Sequence, residues 1–269
     1  MYRTSLLAAA VALTMSPLAF AQTTPAPATT TVPKAAPAPT GAAAATPAPA
    51  AVAASVSMAD CTQTADRAKA VTACTALIKD AGKDTTKLAA AFQARAAAAQ
   101  GSGDLKGAFR DLSNALAADP KNASIWTKRG DVRAALGQKI RSAADYSVAL
   151  KYDPKNLAAL LGRGNQYRLL GALPSAIKDA DEAIKLDPKS ATAYANRAYA
   201  TQRYGRGADV MKDAEEAIKL DPKSALAYAA RGFAKVKTDK AAGIVDLKKA
   251  LELDPKFTAV TDALKKLGG

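Results

Sequence analysis

The sequence predicts an all-α fold in which helical hairpins stack into an α-solenoid. An Asp-Pro-Lys turn occurs five times, with prolines 34, 34, 34 and 33 residues apart, at Pro120, Pro154, Pro188, Pro222 and Pro255. Glycines recur with the same period between these turns, at Gly103, Gly137, Gly171 and Gly205. A constant period of this length indicates units that stack in series, because no single unit can bury its apolar face alone.

Each period contains two helical patterns, one after the Asp-Pro turn and one before the next turn. The glycine between them favours the left-handed conformation that ends many helices. The proline fixes φ at the start of the following helix, where its missing N–H is not needed. Each unit is therefore predicted to be a helical hairpin.

Three further sets of residues repeat in phase and predict how the hairpins pack. Large apolar residues stand near the start of the first helices, at Phe92, Trp126, Leu160, Tyr194 and Tyr228. Small residues follow four positions later, at Ala96, Gly130, Gly164, Ala198 and Gly232. The second helices carry small residues at Ala115, Ala149, Ala183, Ala217 and Ala250. We expect helices to approach closely at these small residues.

The pattern resembles the tetratricopeptide repeat (TPR) family. Its large aromatic, Gly, Tyr, Ala and Pro positions are matched best at Trp126, Gly130, Ala149 and Pro154, and at Gly164, Tyr167, Ala176, Ala183 and Pro188. The resemblance implies a right-handed solenoid of five units, at 89–122, 123–156, 157–190, 191–224 and 225–257. The last unit is one residue short, because Thr238-Asp239-Lys240 replaces the glycine turn.

Charged residues also recur in phase. First helices carry Arg95, Arg129, Arg163, Arg197 and Arg231, and second helices carry Asp111, Asp145, Asp179, Asp213 and Asp246. An arginine near a packed interface needs a fixed carboxylate, so we expect structural ion pairs between the two helices of each hairpin. The alternative interpretation is a ladder of arginines that binds anions.

The segments outside the repeats have different predicted roles. Residues 1–21 have the charged start, apolar stretch and A-x-A end of an export signal, although a membrane anchor is the alternative. Residues 22–57 are rich in Ala, Pro and Thr and predict a disordered linker. Residues 58–88 form an N-terminal capping region in which Cys61 and Cys74 suit a structural disulfide, whereas a redox site lacks a partner base. Residues 258–269 form a C-terminal capping helix.

The family resemblance also implies a concave groove, lined by the first helices, that receives a peptide. The residues expected to face it are Gln93, Lys128, Asp131, Asn165, Arg168, Asn196, Tyr199, Arg203, Phe233 and Lys237. The alternative is that these side chains are simply solvated. Some relatives grip a terminal carboxylate with two asparagines and nearby cations. Asn165 and Asn196 match those asparagines, but Leu161, Leu226 and Ala230 occupy the cation positions, so this clamp is not implied.

Composition limits the possible function classes. The chain has no His and two Cys, which removes the usual zinc sites and histidine-based triads, so we expect no enzyme activity, catalytic residue, cofactor or metal. We expect an exported, periplasmic or secreted scaffold that binds a protein or peptide. The formal charge of +14 supports an alternative, a binder of membrane lipids, cell-wall polymers or other polyanions. Nucleic acid is not expected, because aromatic residues do not alternate with the lysines.

Overall fold

A computed structural model describes residues 56–204 and 207–268. The regular structure in these ranges is helical, and the all-α solenoid predicted from the repeat is confirmed. The predicted export signal and nearly all of the predicted linker lie outside the described residues. The α-helices are α1 Met58–Thr62, α2 Arg67–Asp80, α3 Thr85–Gly101, α4 Leu105–Ala118, α5 Ala123–Ala135, α6 Lys139–Tyr152, α7 Leu157–Leu169, α8 Leu173–Leu186, α9 Ala191–Thr201, α10 Gly207–Leu220, α11 Ala225–Lys235, α12 Lys240–Leu253 and α13 Thr258–Leu267.

Successive helices pair into antiparallel hairpins: α3 with α4, α5 with α6, α7 with α8, α9 with α10, and α11 with α12. Each second helix also contacts the first helix of the next hairpin. In addition, first helices contact each other, α5 with α7, α7 with α9 and α9 with α11. Because the first helices lie closest together along the stack, they form its inner, concave wall. Among the described helices, none combines the length and apolar character needed to cross a membrane.

The turns between helices follow from their local chemistry. Within hairpins, Gly103, Gly137 and Gly171 have φ of 84°, 74° and 77°, a conformation that glycine adopts without strain. Gly205, the fourth glycine of this set, lies outside the described residues. Between hairpins, an aspartate such as Asp187 ends one helix and accepts a hydrogen bond of 2.9 Å from the backbone N–H of Lys189.

Side-chain caps then begin the next first helix. Asn122, Asn156, Ser190 and Ser224 each accept a hydrogen bond from a backbone N–H in the first turn of α5, α7, α9 and α11. Such caps satisfy donors that a helix cannot satisfy internally. The last helix differs, because α13 begins after Phe257 and has no side-chain cap.

The core is built from small residues at the predicted close approaches. Ala96, Ala198 and the five repeated alanines of the second helices are fully buried, at Ala115, Ala149, Ala183, Ala217 and Ala250. Gly130, Gly164 and Gly232 are buried as well. One core contact was not predicted: the ring of Tyr146 fills the space beside both Gly130 and Gly162. A Cβ at Gly162 would lie 2.5 Å from Tyr146 Cζ.

The ends of the stack are closed by single helices. At the N-terminal end, Cys61 of α1 and Cys74 of α2 form a buried disulfide, and α2 packs on α3. At the C-terminal end, α13 buries Val260 and Leu264 against α12 and leaves its charged residues exposed. A polar outer face on a terminal helix keeps such arrays soluble.

Candidate binding groove

Nine of the ten predicted groove residues lie in first helices or in the 3-10 turn Gln202–Tyr204 that follows α9, and Lys237 follows α11. Their exposure differs. Four are exposed, namely Lys128, Asp131, Arg203 and Lys237, and five are half-buried, namely Gln93, Asn165, Arg168, Tyr199 and Phe233. Asn196 is only 2% exposed. It therefore offers a ligand little surface in this structure, although its sequence position matches a groove residue.

The N-terminal half of the groove contains hydrogen bonds between its own residues. Lys128 Nζ donates to Gln93 Oε1 over 3.0 Å and so links α5 to α3. The Tyr146 hydroxyl donates to Asp131 Oδ1 over 2.7 Å, from the second helix α6. Burial raises the pKa of the Tyr146 hydroxyl. Asp131 is exposed as a whole residue, but its carboxyl is partly shielded from water where it meets Tyr146, and this shielding raises the pKa of the carboxyl. Tyr146 thus holds a groove carboxylate in place, a role that its sequence position does not reveal.

The C-terminal half of the groove is aromatic and basic. The rings of Tyr199 and Phe233 meet edge to face with centroids 6.1 Å apart, and Phe257 lies 5.8 Å from Tyr199. The Arg168 guanidinium lies 5.1 Å from the Tyr199 ring centroid, within the range of a cation–π contact. Arg168 Nη2 also donates to Asn165 Oδ1 over 2.7 Å. Four predicted groove residues are therefore brought together here with Phe257, which was not predicted.

Arg168 has no carboxylate partner in the described part of the chain. Its Nε is shielded from solvent and meets no hydrogen-bond acceptor there. Burial lowers the pKa of the Arg168 guanidinium from its ordinary value, because no opposite charge compensates for the lost water. A guanidinium that has lost water and has no carboxylate partner is stabilised when an anion binds beside it.

The five repeated arginines behave differently, because each is paired with the aspartate of its own hairpin. In every pair both Nε and Nη2 donate to the carboxylate, over distances between 2.7 and 2.9 Å, in Arg95–Asp111, Arg129–Asp145, Arg163–Asp179, Arg197–Asp213 and Arg231–Asp246. This two-pronged geometry is the strongest form of the contact. These guanidinium edges are already occupied.

Three of these arginines also reach the preceding helix. Arg197 Nη1 donates to Asp181 of α8 over 2.8 Å, and Arg163 Nη1 donates to Ser147 of α6 over 3.3 Å. Arg95 Nη1 donates to Thr75 of α2 over 3.0 Å. The hydrogen bond with Asp213 is the main reason that the pKa of Arg197 is raised. These three arginines therefore join their own hairpin to the preceding helix of the stack, as well as joining the two helices of one hairpin.

Two of the aspartates bind a second cation. Asp145 also accepts from Arg133 Nη1 over 2.6 Å, and Asp246 accepts from Lys235 Nζ over 3.0 Å. Burial alone would raise the pKa of Asp246, but its hydrogen bonds with Arg231 and Lys235 outweigh burial and lower the pKa below the ordinary value. Within residues 56–204 and 207–268, no group of three or more Cys, Asp or Glu side chains is placed to hold a metal ion.

Comparisons with known proteins agree with this architecture. Residues 164–205 match a family model described as a TPR repeat. MamA from Desulfovibrio magneticus RS-1 is 19% identical and covers 63% of this chain and 97% of its own, with a TM-score of 0.55. YrrB, described as a TPR protein with an unusual peptide-binding site, is 18% identical and covers 72% of this chain and 99% of its own, with a TM-score of 0.57.

A tetratricopeptide repeat protein from Parabacteroides merdae is 20% identical and covers 76% of this chain and 93% of its own, with a TM-score of 0.55. A search of curated protein sequences finds no significant match. The repeat match and the stacked hairpins show that the described part of the chain has the fold of tetratricopeptide repeat proteins.

Proposed function

We propose that this protein is an exported, non-catalytic scaffold that holds a protein or peptide segment against the inner wall of its first helices. The main support is the open C-terminal half of the groove, where Arg168, Tyr199 and Phe233 present a cation and two aromatic rings to one ligand. Aromatic and arginine side chains in such positions commonly dominate binding energy. The similarity to YrrB, whose description names a peptide-binding site, agrees with the proposal.

Export is part of the proposal and is supported by the sequence pattern of residues 1–21. A disulfide between Cys61 and Cys74 agrees with an oxidising compartment, where such bonds persist. TPR proteins are generally scaffolds without catalytic activity, and the absence of histidine from the chain removes the commonest general base.

Site-specific cross-linking in the producing cell tests the location of binding. A photo-reactive residue would replace Lys128 or Lys237 on the groove side, and Lys178 of α8 or Lys248 of α12 as matched exposed lysines on second helices. We expect the groove positions to give discrete products with a partner protein, and the second-helix positions to give none. Products from the second-helix positions alone would contradict the proposal.

The second candidate is binding to an anionic polymer or lipid surface. It is favoured by the charge of +14 and by the exposure of all five turn lysines, at Lys121, Lys155, Lys189, Lys223 and Lys256. These lysines are distributed along the whole stack. Binding of this kind weakens steeply as salt increases, because it depends on long-range attraction between exposed charges. Co-sedimentation with anionic vesicles at low and moderate salt distinguishes it from groove binding.

A further inference from the structure

A cleft of about 510 Å³ opens at the C-terminal end of the groove, where the end of α7 faces the beginnings of α11 and α13. Its walls include Arg168, Tyr199, Leu226, Lys256, Phe257 and Ala259. This volume lies within the usual range for ligand pockets. The walls combine apolar surface with positive charge, which is the combination that can hold a carboxylate beside an apolar side chain.

The charges of the cleft are unbalanced. Arg168 lacks a carboxylate partner in the described part of the chain, whereas the five repeated arginines are each paired with an aspartate. Lys256 adds a second cation. The acidic residue of the cleft, Asp254, already accepts a hydrogen bond of 3.0 Å from the backbone N–H of Lys256.

The first turn of α13 adds positive potential to the same cleft. The five preceding first helices, α3, α5, α7, α9 and α11, begin with capping side chains, but Phe257 occupies the equivalent position before α13 and caps nothing. The backbone N–H groups of the first turn of a helix have no partner within the helix and favour negative charge. Thr258 and Ala259 of this turn line the cleft.

We propose that this cleft is a docking subsite for an acidic extended segment of a partner protein. A glutamate or aspartate side chain pairs with Arg168 and the first turn of α13, and a neighbouring apolar side chain packs on Tyr199 and Phe257. The inference rests on the proposed scaffold function, because it specifies the chemistry of the segment that the groove holds. In this proposal the group that binds the anion is Arg168, which is not one of the five repeated arginines paired with aspartates.

A display library of random decapeptides, inserted between fixed flanking sequences so that no peptide has a free C-terminus, tests the subsite with the full-length protein. We expect the wild-type protein to enrich peptides in which Glu or Asp adjoins an aromatic or aliphatic residue. Arg168→Gln should still enrich peptides but should lose the acidic preference. Lys256→Gln should weaken this preference, whereas Lys155→Gln, at the same position of an earlier turn, should leave it unchanged.

A selected peptide, synthesised with an amidated C-terminus, then gives the affinity. Replacing its Glu or Asp by the corresponding amide should weaken binding about tenfold or more, as expected for a charge-assisted hydrogen bond. Enrichment without acidic preference, or the same preference in the Arg168→Gln variant, would overturn the subsite and leave the scaffold function standing. Failure of the wild-type protein to enrich any peptide would overturn both. Melting curves verify folding, and Lys256→Gln still tests the proposal if Arg168→Gln unfolds.

Discussion

Replacement of Asp145 by alanine should destabilise the protein more than the same change at any of the other four aspartates that pair with the repeated arginines. The Asp145 side chain is 3% exposed and accepts hydrogen bonds of 2.9 and 2.8 Å from Arg129 and 2.6 Å from Arg133. Its loss leaves two guanidinium groups, with side chains 14% and 17% exposed, without their carboxylate. Breaking one buried pair by removing one partner costs about 3–5 kcal/mol, so we expect a loss near the upper end of that range.

Asp179 provides the matched control. Its side chain is 4% exposed, similar to that of Asp145, but it serves a single arginine, Arg163. We therefore expect Asp179→Ala to cost about 3 kcal/mol, at the lower end of the same range. The main difference between the two sites is the second contact of Asp145, with Arg133, so the larger loss is attributed to that contact. Urea unfolding followed by circular dichroism gives both free energies of unfolding.

Adding Arg133→Met to Asp145→Ala should recover part of the lost stability, because one uncompensated charge is removed and an apolar side chain of similar length replaces it. Equal losses for Asp145→Ala and Asp179→Ala, both below about 1 kcal/mol, would show that these pairs behave as solvated surface pairs and would refute the argument.

Three other predictions follow from single contacts. Gly162→Ala forces a methyl group against the Tyr146 ring and should lower the free energy of unfolding in urea by about 1–3 kcal/mol. Adding Tyr146→Leu should recover part of that loss. If the losses of the two single variants simply add in the double variant, the contact is contradicted. Reduction of the Cys61–Cys74 bond should remove about 3 kcal/mol of stability from the N-terminal end, seen as earlier proteolysis before α3; an unchanged digestion pattern would contradict it. The pKa of Asp246 is lowered on folding, so its contribution is complete above the ordinary aspartate pKa of about 3.9 and is lost as pH falls through the lowered value. In the Asp246→Asn variant, the free energy of unfolding should therefore fall less steeply with decreasing pH below about pH 4. If it falls as steeply as in the wild-type protein, Asp246 does not contribute to the pH dependence of stability.

The helical hairpins could be predicted from the sequence because their boundaries depend on neighbouring residues. A glycine at φ near 80° or an aspartate followed by proline acts within one turn of chain, so Gly137 and Asp153 mark their turns without knowledge of the fold. Arg163 and Asp179 could be matched because both repeat with the same period. Their two-pronged contact in the structure agrees with that matching.

The groove was harder to predict, because its contacts depend on the curvature of the stack. Asn196 occupies a groove position in sequence but is buried in the structure. Phe257 contacts Tyr199 although the whole α11–α12 hairpin lies between them in sequence, and no local pattern encodes a contact over that separation. Tyr146 extends from a second helix to the groove residue Asp131, and the sequence signals for this contact are Gly130 and Gly162, which leave room for the ring.

Arginines that bind two hairpins at once also affect how the protein responds to force. When Arg197 holds both Asp213 and Asp181, separating one hairpin from the stack requires the loss of contacts in its neighbour as well. In a linear array, such shared contacts stabilise the interfaces between repeats relative to the repeats themselves. More repeats then unfold together in one step. Pulled from its two ends in optical tweezers, the molecule should extend in steps longer than one hairpin, and acidification should shorten those steps.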